Sequence, residues 1–177
     1  MRQIFWRLTN FFFFYLGWGF CLSGAVLDQP YQGPLIVGIL ILIHLVVVEF
    51  VLHEVLLILS LSVFGTAVDS IFLNIGMVEY LGGYTYLNFI APLWVTSIWA
   101  LFASSINTSF GWLQGRFWLS VLLGGLGGAA SYLAANRVGA AIFFPDTLTV
   151  TAIIGLVWTG LMPLSLYWAE YLRKRFS

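Results

Sequence analysis

Charge is what this sequence has least of. Lys and Arg supply seven of the 177 residues and Asp and Glu another seven, so charged residues make up 8% of the chain, against roughly 25% in an ordinary soluble domain. Hydrophobic residues make up 61%, and the mean hydropathy is +0.99. So little polar surface cannot coat a water-facing globule, which predicts a membrane protein. The basic residues form no broad patch, which excludes nucleic acid as a partner.

Histidine and cysteine are also scarce. The chain has two His and one Cys, and it has no H-E-x-x-H, G-x-S-x-G or P-loop motif. The lone thiol, Cys21, has no internal disulfide partner and is predicted to pack inertly in its apolar run. Two His are too few for a membrane di-iron centre. Because no nucleophile, base and orienting group can be assembled, the sequence favours a non-enzyme and predicts no cofactor and no metal.

Long apolar runs are what the chain has instead. Trp18 and Phe20 are bulky and no A-x-A site follows them, so the first run is predicted to be a retained helix and not a cleaved signal peptide. Short connections rich in Gly and Pro separate the runs, which favours antiparallel neighbours in a single domain, residues 1–177. The predicted fold is all-α, one bundle of six transmembrane helices at residues 8–26, 34–52, 55–75, 89–106, 117–144 and 148–171.

The charges that are present orient this bundle. With six spans both termini share a side, and the opposite loops carry Asp28, Glu79 and Asp146 without Lys or Arg. An excess of Lys and Arg marks cytoplasmic loops, so both termini are predicted to be cytoplasmic in a multi-pass protein of the bacterial inner membrane. The basic residues that share the side of the termini are Arg2, Arg7, Arg116, Arg173, Lys174 and Arg175.

Polar residues inside the predicted spans are candidate site residues, because an intramembrane charge is costly unless it is paired or functional. Asp69 lies on a stripe of small and polar residues that is expected to face protein, and both a structural pairing and a functional role remain open. His44 is expected to be a buried neutral imidazole bonded to another helix. On helix four, Ser104 belongs to a small-residue stripe with Asn107 beside it, a pattern that favours helix packing over substrate binding.

The hairpin between helices two and three carries Glu49, His53 and Glu54. Their spacing could hold a metal ion, but two ligand types at a boundary hairpin fall short of a site. The sequence therefore favours a solvated helix end at this position.

Glycines and an arginine meet in GGLGGAASYLAANRVGA, residues 124–140. On a helical wheel the small residues form a packing stripe with Tyr132 and Asn136 at its edge, so these two are the candidates for an inward role. Arg137 falls on the opposite side and is expected to extend to the outer interface unless a bend turns it inward. Whether Arg137 pairs with Asp69 stays open.

Several of these segments together resemble a bacterial family of small polytopic membrane proteins, domain of unknown function 2878. In that family a His commonly follows the Asn of the fourth-helix motif and a Pro the paired glycines, where this chain has Thr108 and Ala129. The departure puts in doubt any mechanism that needs a histidine beside Asn107. The resemblance implies a link to bacterial membrane-lipid modification. The segments that carry it are NFFFFYLGW (10–18), His44, Val68-Asp69-Ser70, LFASSIN (101–107) and GGAASYLAANRVGA (127–140).

Two functions from different classes remain open. In the first, the bundle binds or transports a small apolar or lipid-like molecule, with Asp69 and His44 as polar groups of the site. In the second, the protein is a non-catalytic accessory subunit that holds a membrane protein partner of a lipid-modifying system. The bilayer is a partner in both.

Overall fold

Six α-helices and one short two-stranded β-sheet make up the described part of the chain. A computed structural model describes residues 2–176, with side chains from residue 4 onward, so the Arg2 side chain lies outside the described residues. The fold is all-α apart from this sheet. The elements are α1 (Arg2–Val26), α2 (Gln32–Val47), α3 (Val51–Asn74), β1 (Val78–Tyr80), α4 (Leu93–Ile106), α5 (Phe117–Arg137), β2 (Ala141–Phe143) and α6 (Thr147–Phe176), with a single 3-10 turn at Gly111–Leu113.

The fifth helix is shorter than its apolar run predicts. Gly139 adopts a φ of +83°, a left-handed conformation that ends α5 at Arg137. The amide of Gly139 donates to the Asn136 carbonyl and the amide of Ala140 to the Ala135 carbonyl, which is the Schellman arrangement. The prediction of one helix over 117–144 is therefore wrong beyond Arg137.

The residues after this turn form a strand that the sequence analysis missed. β2 pairs antiparallel with β1 in the register Val78 with Phe143, Glu79 with Ile142 and Tyr80 with Ala141. The same type of turn, at Gly76 with φ +70°, ends α3 and leads into β1. Each of the two paired strands therefore follows a helix that ends at a glycine with positive φ.

The other helix bounds also differ from the predicted ones. α1 begins at Arg2, ahead of the predicted residue 8, and α4 begins at Leu93 and not at 89, because Pro92 precedes it in an extended conformation. α2 ends at Val47, before the predicted 52, and α3 starts at Val51, before the predicted 55. α6 runs through Phe176, past the predicted 171. The hairpin residues His53 and Glu54 consequently belong to the first turn of α3.

The helices alternate in direction. Asn10, early in α1, contacts Thr108 just past the end of α4, and His44 near the end of α2 contacts Glu54 near the start of α3. We call this end of the bundle, to which Arg7, Arg116 and Arg173–Arg175 belong, the basic end. We call the opposite end, where the β1–β2 sheet lies, the sheet end.

Within the described residues, four helices are long and apolar enough to cross a membrane: Ile4–Val26, Val51–Asn74, Phe117–Arg137 and Thr147–Phe176. Many of their large apolar side chains are exposed, as lipid-facing surfaces are. The helices α2 and α4 are apolar but shorter, about 24 and 21 Å long at 1.5 Å per residue. α4 is mostly buried and packs against α1, α2 and α3.

Candidate functional site

A cavity of about 500 Å³ lies between α1, α4, α5 and α6. A site of 300–1,000 Å³ is large enough for a small organic molecule. Its walls are almost entirely apolar and aromatic, and they include five of the eight tryptophans of the chain. The aromatic residues that line it are Phe14, Tyr15, Trp18, Tyr80, Trp94, Trp99, Phe102, Phe110, Trp112, Tyr132 and Trp158.

The cavity is open on one side, between α1 and α5. The exposed residues among those that line it belong to α1, to α5 and to the turn before α5. Tyr15 is 53% exposed and Leu123 37%, and an added Cβ on Gly127 would meet nothing within 4 Å. The other exposed lining residues are Trp112 and Ala130. Tyr15 and Gly127 lie near the middle of their helices and not at either end. A molecule moving within an apolar layer around the bundle could therefore enter sideways.

Two stacked tryptophans form one wall. The rings of Trp99 on α4 and Trp158 on α6 lie 5.1 Å apart with an interplanar angle of 13°. Each ring lies over a glycine: a Cβ on Gly65 of α3 would come within 1.9 Å of Trp99, and one on Gly128 of α5 within 2.1 Å of Trp158. Four helices thus meet through these four residues, and the glycines create the space that both indoles occupy.

Asp69 lies at the sheet end of the cavity and is fully buried. Its Oδ1 accepts hydrogen bonds from the hydroxyls of Tyr80 at 2.5 Å and Tyr132 at 2.6 Å, and its Oδ2 accepts one from Trp99 Nε1 at 2.6 Å. An indole N–H can only donate, so the carboxylate is bound here as an acceptor. We call these four residues the Asp69 centre.

Three separate parts of the chain bring the donors to Asp69. Tyr132 comes from α5 and Trp99 from α4, whereas Tyr80 arrives because β1 pairs with β2 and folds back over the end of α3. The sequence singled out Asp69 and Tyr132 but missed Tyr80 and Trp99. Nothing within a local window marks these two, because their approach depends on a strand pairing and a helix contact far apart along the chain.

A second buried polar cluster lies at the basic end. His44 Nε2 is 3.2 Å from Glu54 Oε2, and His53 Nε2 is 3.3 Å from Glu54 Oε1. The Asn107 amide donates to Glu54 Oε1 at 2.9 Å and accepts from the Gln114 amide at 2.8 Å. We call these five residues the Glu54 centre.

The prediction of a solvated helix end at His53 and Glu54 is wrong. Glu54 is 3% exposed and His53 is 5% exposed, because the short α2–α3 connection places both in the first turn of α3, against neighbouring helices. The Trp6 ring stacks on His44 and Phe50 on His53, which covers the imidazoles further. Among the residues from 4 to 176, no group of three or more His, Cys, Asp or Glu is arranged to hold a metal ion.

The predicted site residues therefore divide between different places. Asp69 and Tyr132 line the cavity, but His44 and Asn107 belong to the Glu54 centre. Glu54 and Asp69 are 15 residues apart on α3, about 22 Å along its axis, so His44 and Asp69 do not share one site.

The remaining three predicted residues are not cavity-lining. Ser104 is buried, and its hydroxyl donates to the Leu101 carbonyl in its own helix. The amide of Asn136 donates to the Ala141 carbonyl and fastens β2 to the end of α5. Arg137 is the last residue of α5 and is exposed, while the oxygens of Asp69 are held by Tyr80, Trp99 and Tyr132.

Comparison with known proteins places the chain in a family. The family described as "Protein of unknown function (DUF2878)" matches residues 7–164, and the chain belongs to it. The resemblance drawn from the sequence segments is thereby confirmed. No curated protein and no solved structure matches the chain.

Proposed function

We propose that this family member is an integral protein of the bacterial inner membrane, with six spans and both termini in the cytoplasm. Four apolar helices of spanning length and the alternating helix directions support this topology. The shorter α2 and α4 would complete their crossings with adjoining loop segments, which a membrane tolerates where protein covers the backbone. The basic end would then face the cytoplasm.

Within this bundle the protein binds a small apolar or lipid-like molecule. The observation that carries the proposal is the aromatic cavity, whose lining includes the exposed residues Tyr15 and Gly127 at the middle of α1 and α5. A cavity that served only packing would be closed by side chains, since interiors are filled to high density. Here α5 presents glycine at the mouth, which leaves the entrance clear.

A cavity-filling variant tests the proposal. In Gly127→Leu the added side chain starts from open space at the mouth and extends into it, so the variant is expected to fold. The probe is 9,10-dibromooctadecanol, whose bromines quench tryptophans on contact, added to the protein in phosphatidylcholine nanodiscs. We expect saturable quenching at low mole fraction in the wild type and its loss in Gly127→Leu.

The matched control is Gly160→Leu on α6, where an added Cβ also meets nothing within 4 Å but which does not line the cavity. It should quench as the wild type does. Equal saturable quenching in Gly127→Leu and Gly160→Leu would contradict binding in the cavity.

A further inference from the structure

The cavity carries one buried carboxylate and no basic side chain. Asp69 is its acidic residue, and no Lys, Arg or His occurs among the residues that line it. The ion pairs formed by described side chains are His44–Glu54, His53–Glu54 and Lys174–Glu170, none of which involves Asp69. The side chains from residue 4 to 176 thus supply Asp69 with no positive partner.

The three groups that do contact Asp69 are neutral. Two phenols and an indole donate hydrogen bonds to its oxygens, but they bring no positive charge to the carboxyl group. A buried charge is normally paired, because leaving it alone in a low-dielectric interior is costly. A positive charge brought into the cavity would therefore be attracted to this end, and a negative one would be repelled.

The walls favour the same sign of charge. The faces of Trp, Tyr and Phe rings carry a negative quadrupole and attract cations, with Trp the strongest. The stacked rings of Trp99 and Trp158 cover one another and lie over Gly65 and Gly128, so their faces are occupied. Other indoles that line the cavity are left for this role, and one of them, Trp94, packs edge-on against Tyr80 of the Asp69 centre at 5.8 Å. Aromatic faces around a single carboxylate are what the recognition of ammonium groups uses.

We infer that the cavity takes an amphiphile with a cationic amine or ammonium group, its head directed to the Asp69 centre and its apolar part toward the glycine-lined mouth on α5. This inference rests on the proposed function, since it names the class of molecule that the same cavity binds. It excludes fatty acids and other anionic amphiphiles as preferred ligands.

Three brominated probes that differ only in the head group test the inference. They are 9,10-dibromooctadecyl trimethylammonium, 9,10-dibromooctadecanol and 9,10-dibromooctadecyl sulfate, each corrected for its partition into empty phosphatidylcholine nanodiscs. The two charged heads do not titrate, so pH does not alter the comparison. We expect the wild type to bind the ammonium probe at least about tenfold more tightly than the sulfate probe, with the alcohol between them.

Two variants locate the source of the preference. Asp69→Asn should bring the ammonium and alcohol probes to similar affinity, whereas Glu79→Gln, which removes an exposed carboxylate at the same end, should keep the wild-type ratio. If Asp69→Asn fails to fold, the ratio among the three probes on the wild type still decides. Equal binding of all three probes, or tightest binding of the sulfate, overturns the inference but leaves the proposed function standing if Gly127→Leu still blocks them. Probe quenching that Gly127→Leu does not change overturns both.

Discussion

The two carboxylates of α3 sit in opposite surroundings, although both are almost completely buried. Glu54, near the basic end, contacts two imidazoles and an amide, and none of the residues in its centre lines the cavity. Asp69, near the sheet end, contacts two phenols and an indole, and it lies on the cavity wall.

The difference lies in where the positive charge can come from. An imidazole can take up a proton, so the Glu54 centre holds groups that can neutralise its own carboxylate. Phenols and indoles donate hydrogen bonds but carry no positive charge, so the Asp69 centre holds no group that can neutralise its carboxylate. Burial alone therefore does not identify a binding site. A buried charge without a counter-charge, next to an open cavity, is the more informative combination.

The largest effect is expected at Glu54, which acts as an internal fastening between α2, α3 and the end of α4. Glu54→Ala leaves His44 and Asn107 without their buried acceptor, and removing one partner of such a cluster costs about 3–5 kcal/mol of unfolding free energy. Thermal unfolding in detergent, referenced to Glu49→Ala at an exposed position of the same hairpin, measures it.

Binding of the neutral bromoalcohol should survive in Glu54→Ala below its unfolding temperature, because the Glu54 centre does not line the cavity. Equal stabilities of the Glu54→Ala and Glu49→Ala variants would contradict the fastening role. Loss of binding in a folded Glu54→Ala variant would break the distinction between the two centres.

A smaller effect is expected at Gly65, beneath the Trp99 ring. In Gly65→Ala the new Cβ would lie 1.9 Å from Trp99, so the indole must move and its hydrogen bond to Asp69 Oδ2 breaks. Overpacking of this kind costs about 1–3 kcal/mol. Near-ultraviolet circular dichroism should register the disturbed Trp99–Trp158 stack, and the affinity for the ammonium probe should fall.

The matched control is Gly38→Ala on α2, where the added Cβ meets nothing within 4 Å. It should leave both the dichroism and the probe affinity as in the wild type. An unchanged near-ultraviolet spectrum in Gly65→Ala would show that the wall tolerates the methyl group and that the glycine is not required there.

Local patterns in the sequence predicted the apolar helices, their number and the burial of Asp69 against protein, because hydropathy and helical periodicity are local properties. Glu54 escaped the prediction through an error of four residues in the start of α3. His44 lies three residues before the end of α2, and Glu54 lies three residues after the start of α3. Residues equally far from a tight helical hairpin lie at the same level, so correct bounds would have paired them.

Tyr80 and Trp99 show what local patterns could not provide. The Gly139 turn was a readable stop signal for α5, since glycine just after a helix is a common C-terminal cap. A helix predicted to end at this glycine would have left residues 141–143 outside α5 and available to form a strand. The strand pairs with β1, from which α4 and α5 separate it along the chain, so this pairing depends on the packing of the bundle. The approach of Tyr80 to Asp69 depends on the same packing.

The smallest effect is expected at Asp146, a carboxylate at the sheet end that is exposed to solvent. Its Oδ1 accepts a hydrogen bond from the Thr149 backbone amide at 2.9 Å in the first turn of α6, and this bond holds the pKa of Asp146 below its ordinary value. A lowered pKa in the folded state stabilises the protein at neutral pH, and the stabilisation is lost as the pH falls through the ordinary pKa toward the lowered one. Asp146→Ala should therefore lower the melting temperature slightly at pH 7, and the difference from the wild type should shrink in acid. Glu79→Ala is the reference for an exposed carboxylate at the same end. If Asp146→Ala lowered the melting temperature as much as Glu54→Ala does, the result would contradict the view that burial determines how much each carboxylate contributes to stability.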